Sequence, residues 1–246
     1  MKMEPEVLKY LNGDTFQTSL TVNIGKSKHS IISREAAITE IIKGKKVIHI
    51  GCSDHIQIIN DKIRNNTWLH KLITDNADEC IGIDIDRESI DFIRNELGYK
   101  NVYCGDITKD VFDSITDNTW DYVVFGAIIE HLDDPVNFLK IFKLRFGKNV
   151  SKFIITVPNI YNRHQFTNMM NYKEIINSDH RFWFTPYTIS KVLASAGYKP
   201  EKITYSNLQR LNILRLIIRK IKRMTGMEIK YPFYYFNTII LSGVIN

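Results

Sequence analysis

Two short apolar runs, residues 47–50 and 81–83, each break into a small or acidic turn: Gly51-Cys52-Ser53-Asp54 after the first, Asp84-Ile85-Asp86 after the second. Runs of this kind are buried strands of a parallel sheet, and such sheets bind ligands at the carboxyl ends of their strands. A glycine at the first strand end lets a ligand approach the backbone. A carboxylate at the tip of the second accepts hydrogen bonds from a ribose diol. The pair predicts a nucleoside-cofactor site.

The rest of the chain extends the pattern. Strands are predicted at 46–51, 80–85, 101–104, 121–125 and 152–157, the last stopped by Pro158, with helices over 87–97 and 135–146. Strands alternating with helices of this length imply βαβ units. Ahead of the sheet, 33–43 reads as a helix capped by Ser33 and ended by Gly44, so residues 1–44 are expected to form an N-terminal helical cap on a domain over 45–246. Residues 159–181 read as an irregular polar stretch. Thr185-Pro186 opens a helix that ends at Ala196-Gly197, and 202–206 with 238–244 are expected to close the sheet as an antiparallel pair.

Hydrophobic residues make up 44% of the chain and charged ones 24%, ordinary for a globular protein. No apolar run is long enough to span a bilayer, and the N-terminus lacks a signal peptide's apolar core, so a cytoplasmic protein is expected. Cys52, Cys80 and Cys104 lack metal-site spacing and read as free thiols at strand-like positions. The net charge of +6 resides in one segment: residues 208–232 hold seven Lys and Arg against Glu228, and the remainder balances 26 against 26. Within it, Leu211, Leu214, Ile217, Ile218 and Ile221 fall at helical spacing. That pattern suits an amphipathic helix packed on the sheet edge or against a second subunit as a homodimer. The other readings for 208–223 are peripheral contact with an anionic membrane or grip on an anionic acceptor; nucleic acid is disfavoured, because no second basic patch accompanies it.

A dinucleotide turn needs several glycines whose bare amides hold a pyrophosphate. Here one glycine stands beside the carboxylate of Asp54, which repels a pyrophosphate and tolerates an ammonium. S-adenosylmethionine (SAM), an adenosine without phosphates and with an α-amino group, suits that turn better than NAD.

Five motifs in order then become specific: 47–52, Gly82-Ile83-Asp84-Ile85, Gly105-Asp106-Ile107, the run 121–135 around Phe125-Gly126 and Glu130-His131, and Ala196-Gly197-Tyr198. Over residues 45–205 the chain resembles the class I SAM-dependent methyltransferases. The resemblance implies a Rossmann-like, doubly wound α/β fold with a seven-stranded, mostly parallel sheet. It implies SAM held by Gly51, Cys52, Ser53, Asp84, Ile85, Asp106, Ile107, Phe125 and Gly126, with Asp84 on the ribose and Asp106 on the adenine amino group. Two departures stand out. The second loop glycine is replaced, and His49 occupies a place where an acidic residue is common. The interval of 33 residues from Gly51 to Asp84 is also long, similar to methyltransferases of surface-polysaccharide biosynthesis.

The expected reaction is methyl transfer to a hydroxyl of a sugar, a phosphate-bearing glycan precursor or another small molecule. A hydroxyl must lose its proton, so a base is required. Glu130, His131 and His180 are the candidates, His180 lying in a polar loop beside aromatics. Small-RNA 2′-O-methyltransferases hold a metal near this position, but Ala127 stands where their first glutamate would be, and no metal is expected. Trp68 and His70 read as core and helix-surface residues. The alternatives are an RNA 2′-O-methyltransferase and a methyltransferase-like binding subunit without catalysis.

Overall fold

The computed structural model describes residues 5–24, 29–211, 216, 220–222, 224–227 and 229–245. Its centre is a seven-stranded sheet built from β2 (Lys46–Ile50), β3 (Glu79–Asp84), β4 (Val102–Cys104), β5 (Trp120–Gly126), β6 (Val150–Pro158), β7 (Lys199–Leu208) and β9 (Phe236–Val244). The spatial order is β4-β3-β2-β5-β6-β9-β7. β9 is antiparallel to both neighbours, and the pairs from β4 across to β6 are parallel. The doubly wound fold expected from the sequence is thus present, and the closing antiparallel pair forms between β7 and β9.

Alternation along the strands explains the layers. Ile48, Ile50, Val123, Phe125, Phe153 and Ile155 face one way, into a core shared with α7 (Pro135–Phe146) and α9 (Pro186–Ser195). Val47, Val124, Ile154 and Ile240 face the other way, against α2 (Arg34–Ile42) and α4 (Leu69–Asn76). At that sheet end a third cluster packs α3 (Ile56–Arg64) and α5 (Arg87–Asn95) around Trp68 and Val102. The long interval between β2 and β3 is therefore two helices, α3 and α4, where one is the ordinary crossover. Trp68 and His70 are buried in it, so His70 belongs to the interior and not to a helix surface.

Helix ends follow the sequence closely. Ser33 caps α2 by accepting from the Ala36 amide, and Thr185 opens α9 with a capping box and a proline in the first turn. The stretch 159–181 is not wholly irregular: it contains α8 (Arg163–Met170), capped by Asn162, with none of its side chains buried. Its apolar residues, Phe166, Met169 and Met170, are exposed and span little more than one turn, too short a run for a periodic signal. α1 (Pro5–Asn12) is fastened to α9 by Lys191, whose Nζ donates to the carbonyls of Tyr10 and Leu11 at 2.7 and 2.8 Å. A two-residue ribbon joins β1 (His29–Ser30) to β8 (Lys230–Tyr231). Half of the basic segment 208–223 lies outside the described residues. Among the described residues no helix is long and apolar enough to cross a membrane. Cys52 sits just past β2, not within a strand, and all three thiols are free.

Gly243 marks the tightest backbone contact of the sheet. A Cβ there would sit 2.1 Å from the Lys199 carbonyl oxygen, opposite the register shift between Pro200 and Lys202. Backbone on both sides cannot retreat as a flexible side chain would. Gly243→Ala should lower unfolding free energy by about 2 kcal/mol or more, read as a fall in the urea midpoint.

Candidate active site

The chain leaves β2 toward β3 and β4 on one side and returns with β5 on the other, so the crevice opens between the carboxyl ends of β2 and β5. Gly51 ends β2 with φ +73°, a conformation that favours glycine, and a Cβ there would sit 2.2 Å from Ile128 Cγ2. Asp84 stitches the neighbouring turns together: one carboxylate oxygen accepts from the Ser53 amide at 3.0 Å, the other from the Asp86 amide at 3.1 Å. Beside these turns lies a cleft of about 460 Å³ lined by Ile50, Gly51, Asp84, Ile85, Asp106, Ile107, Ile128 and Phe138, among others. Asp106 is held in place by the Thr108 amide and hydroxyl and by Lys109. Those hydrogen bonds and the lysine charge outweigh the cost of burial and keep its carboxyl below the usual range.

A second cavity of about 690 Å³ adjoins the first, sharing Gly51, Asp84, Ile85, Ile128 and His131. Its far wall is Glu130, His131 and His180. Two amides of the loop after β6, those of Arg181 and Phe182, donate to the Glu130 carbonyl, and Arg181 forms an ion pair with Asp133. This clamp sets His180 beside His131, with ring centroids 4.6 Å apart and planes nearly perpendicular. One ligand atom from each of Glu130, His131 and His180 lies within 4.8 Å of the others. Glu130 is 1% exposed, and burial raises its carboxyl to about 7. Glu130 Oε2 and His180 Nδ1 are buried without a partner. Burial, and next the His131 ring, lower the proton affinity of His180. Ala127 adopts φ +60° between Gly126 and Ile128, a strained conformation for a residue with a side chain.

The floor holds a second histidine pair. His49 Nδ1 and His70 Nδ1 are 3.3 Å apart and both rings are buried. Burial depresses both, His70 to about 4, so at neutral pH the pair is uncharged and one proton is shared across the contact. His49 Nε2 has no partner and lies 2.8 Å from the Cβ that Gly126 lacks.

A family model described as a methyltransferase domain matches residues 28–203. The chain belongs to the class I SAM-dependent methyltransferases. Among solved structures, SAM-dependent methyltransferases from Archaeoglobus fulgidus and Thermotoga maritima are similar to it. The first has 18% identity and a TM-score of 0.53 over 85% of this chain and 92% of that one. The second has 14% identity and a TM-score of 0.56 over 87% and 88%. A small RNA methyltransferase aligns at 13% identity and a TM-score of 0.54, covering 91% of this chain and 27% of its own. At these identities the likeness is one of fold. No curated protein matches the sequence significantly.

The cofactor of this methyltransferase is SAM, and the cleft suits it. An apolar slot between isoleucines fits an adenine ring, the half-buried Asp84 carboxylate borders it, and Gly51 leaves the backbone uncovered. Asp54 is paired with Lys62 at 2.5 Å, so its charge is already balanced within the turn. Of the cofactor residues expected from sequence, Gly51, Asp84, Ile85, Asp106 and Ile107 line the first cleft. Cys52, Ser53 and Gly126 line the second cavity. The Cys52 thiol is packed beneath β3, where burial raises it well above its ordinary value, so the residue offers only backbone. Phe125 lines neither space. Its ring packs on Phe138 and Phe142 in the core. Sequence reasoning missed Ile128 after β5, Arg34 at the start of α2, and Asn177 and Asp179 in the loop that carries His180, none of which has a local pattern.

The buried Glu130 makes stability depend on pH. Its folded value lies above the ordinary 4.5. Between roughly pH 4.5 and 7 the folded state alone holds the proton, so stability falls as pH rises through that window and levels above it. In chelator-treated protein the total loss should be on the order of 3 kcal/mol. Glu130→Gln should flatten that segment of a melting-temperature profile; an unchanged slope would assign it to other groups.

Proposed function

We propose that this methyltransferase methylates a hydroxyl group of a sugar or phosphate-bearing glycan precursor, with His131 and His180 handling the proton. The observation that carries the reading is the position of His131. It lines both the cofactor cleft and the adjoining cavity, and its ring meets that of His180. SAM, when bound, supplies an electrophilic methyl carbon on a sulfonium. The chain's own task is alignment and proton removal.

Asp84 holds the ribose hydroxyls and Asp106 the adenine amino group. Asp84 is already oriented by two backbone amides, so little ordering is needed when a diol replaces water. On the acceptor side, the hydroxyl oxygen gains the methyl as the carbon–sulfur bond breaks, and its proton passes to a neutral histidine. His180, kept unprotonated by burial and by His131, is poised to accept it. Glu130, half-protonated near neutrality, takes up the charge that forms on the imidazoles.

A second reading rests on the same three side chains. Their ligand atoms converge closely enough to hold a divalent ion, and the fold is shared with a small RNA methyltransferase. A metal would then polarise the acceptor oxygen in place of a free base. The chain lacks a carboxylate at Ala127, which leaves such an ion with three protein ligands.

Asp84→Ala should weaken SAM binding by roughly 1.5–3 kcal/mol in calorimetry while the protein stays folded. NAD should show no micromolar binding, because a single glycine stands where a pyrophosphate needs several bare amides. His131→Ala or His180→Ala, whichever removes the base, should lower kcat roughly 10²–10⁴-fold with SAM affinity nearly unchanged. Activity that disappears with a chelator and returns with a divalent ion would replace the free-base reading by the metal one. Near-normal turnover in both alanine variants would make the histidines structural.

A further inference from the structure

A cavity of about 890 Å³ lies beyond the base pair and takes no part in cofactor binding. Its walls are aromatic: Tyr161, Phe166, Trp183, Phe233 and Tyr234. The rings meet at steep angles, Tyr161 to Phe233 at 76° and Phe233 to Tyr234 at 80°, so together they form a box and not a flat patch. Trp183 is fixed in that box because its indole Nε1 donates to Glu174 at 2.8 Å, which also occupies the carboxylate. Two cations share the lining, Arg163 and Lys173, neither ion-paired with a carboxylate among the described residues. The Arg163 guanidinium is steadied over the Tyr235 ring at 5.7 Å.

The cavity communicates with the chemistry through ring edges. Trp183 meets His180 at 6.1 Å between centroids, and His180 meets His131 at 4.6 Å. Trp183 is thus the residue through which the box adjoins the histidine pair.

We propose that this cavity anchors a nucleoside diphosphate sugar, with the base stacked in the aromatic box, the diphosphate on Arg163 and Lys173, and the sugar directed toward His180. The proposal rests on reading the acceptor as a sugar hydroxyl. Its physical content is a division of labour. Aromatic faces grip a planar heterocycle whatever its edge. Unpaired cations recognise phosphate oxygens by charge-assisted hydrogen bonds. A lipid chain would leave both cations idle, and a sugar phosphate alone would leave most of the box unfilled.

The test uses the full chain saturated with S-adenosylhomocysteine, so that the adenosine cleft is closed to nucleotides. UDP, dTDP, GDP and ADP, with the matching nucleosides, are titrated by calorimetry and by tryptophan fluorescence. At least one diphosphate should bind in the micromolar range, and its nucleoside about tenfold more weakly. Arg163→Ala and Lys173→Ala, both at exposed positions, should each weaken the diphosphate about five- to tenfold without moving S-adenosylhomocysteine affinity. Trp183→Ala should abolish the fluorescence response, and Trp183→Phe should retain binding by calorimetry. Absence of binding by all four diphosphates at millimolar concentration, with S-adenosylhomocysteine bound normally, overturns the proposal. So does diphosphate binding that ignores Arg163→Ala and Lys173→Ala. Tight diphosphate binding without methyl transfer to any nucleoside diphosphate sugar upholds the anchoring site and removes the sugar-hydroxyl reading instead.

Discussion

Because β2, β3, β5 and β6 run parallel, their carboxyl ends fall on one edge of the sheet, and the turns that carry Ser53, Asp84, Glu130 and His131 leave from that edge. Parallel pairing forces each strand to be followed by a crossover, so the loops that leave this edge are free to vary while the strands are not. The switch between β2 and β5 parts two of those loops and makes room for a ligand. Gly51 and Gly126 keep the gap open. A side chain at Gly51 would meet Ile128, and one at Gly126 would meet His49 and Leu69.

The active-site wall depends on a single carbonyl. Glu130 offers its backbone oxygen to the amides of Arg181 and Phe182, which joins the loop after β5 to the loop after β6. That join brings together side chains fifty residues apart in sequence and hides the Glu130 carboxyl from water. Burial then does the electrostatic work, raising the Glu130 carboxyl to about 7 and lowering the proton affinity of His180. The same logic governs His49 and His70, except that there burial is complete and the pair is held neutral.

The strands were legible in the sequence because they are buried on both faces and read as unbroken apolar runs. The Ser33 and Thr185 helix starts were legible because capping is a local chemistry. α8 was not, since none of its side chains is buried and its apolar residues span little more than one turn. His49 drew notice as a departure from a motif, but its partner lies on α4, and nothing local joins positions 49 and 70. The nearness of His131 and His180 followed from strand order. The clamp that produces it did not, because backbone carbonyls have no sequence signature. The aromatic box escaped for a related reason: its walls come from residues on either side of β7, separated by most of the basic segment.

The position of β9 has a consequence for how the protein is made. Residues 236–244 form the strand that fills the slot between β6 and β7. Until the ribosome has released them, the β6 edge has no neighbour on that side and β7 has no sheet to join. A nascent chain that has not yet reached β9 thus carries an apolar strand edge open to any other chain in reach. The sheet closes late, through contacts of long sequence separation, which are slow to form.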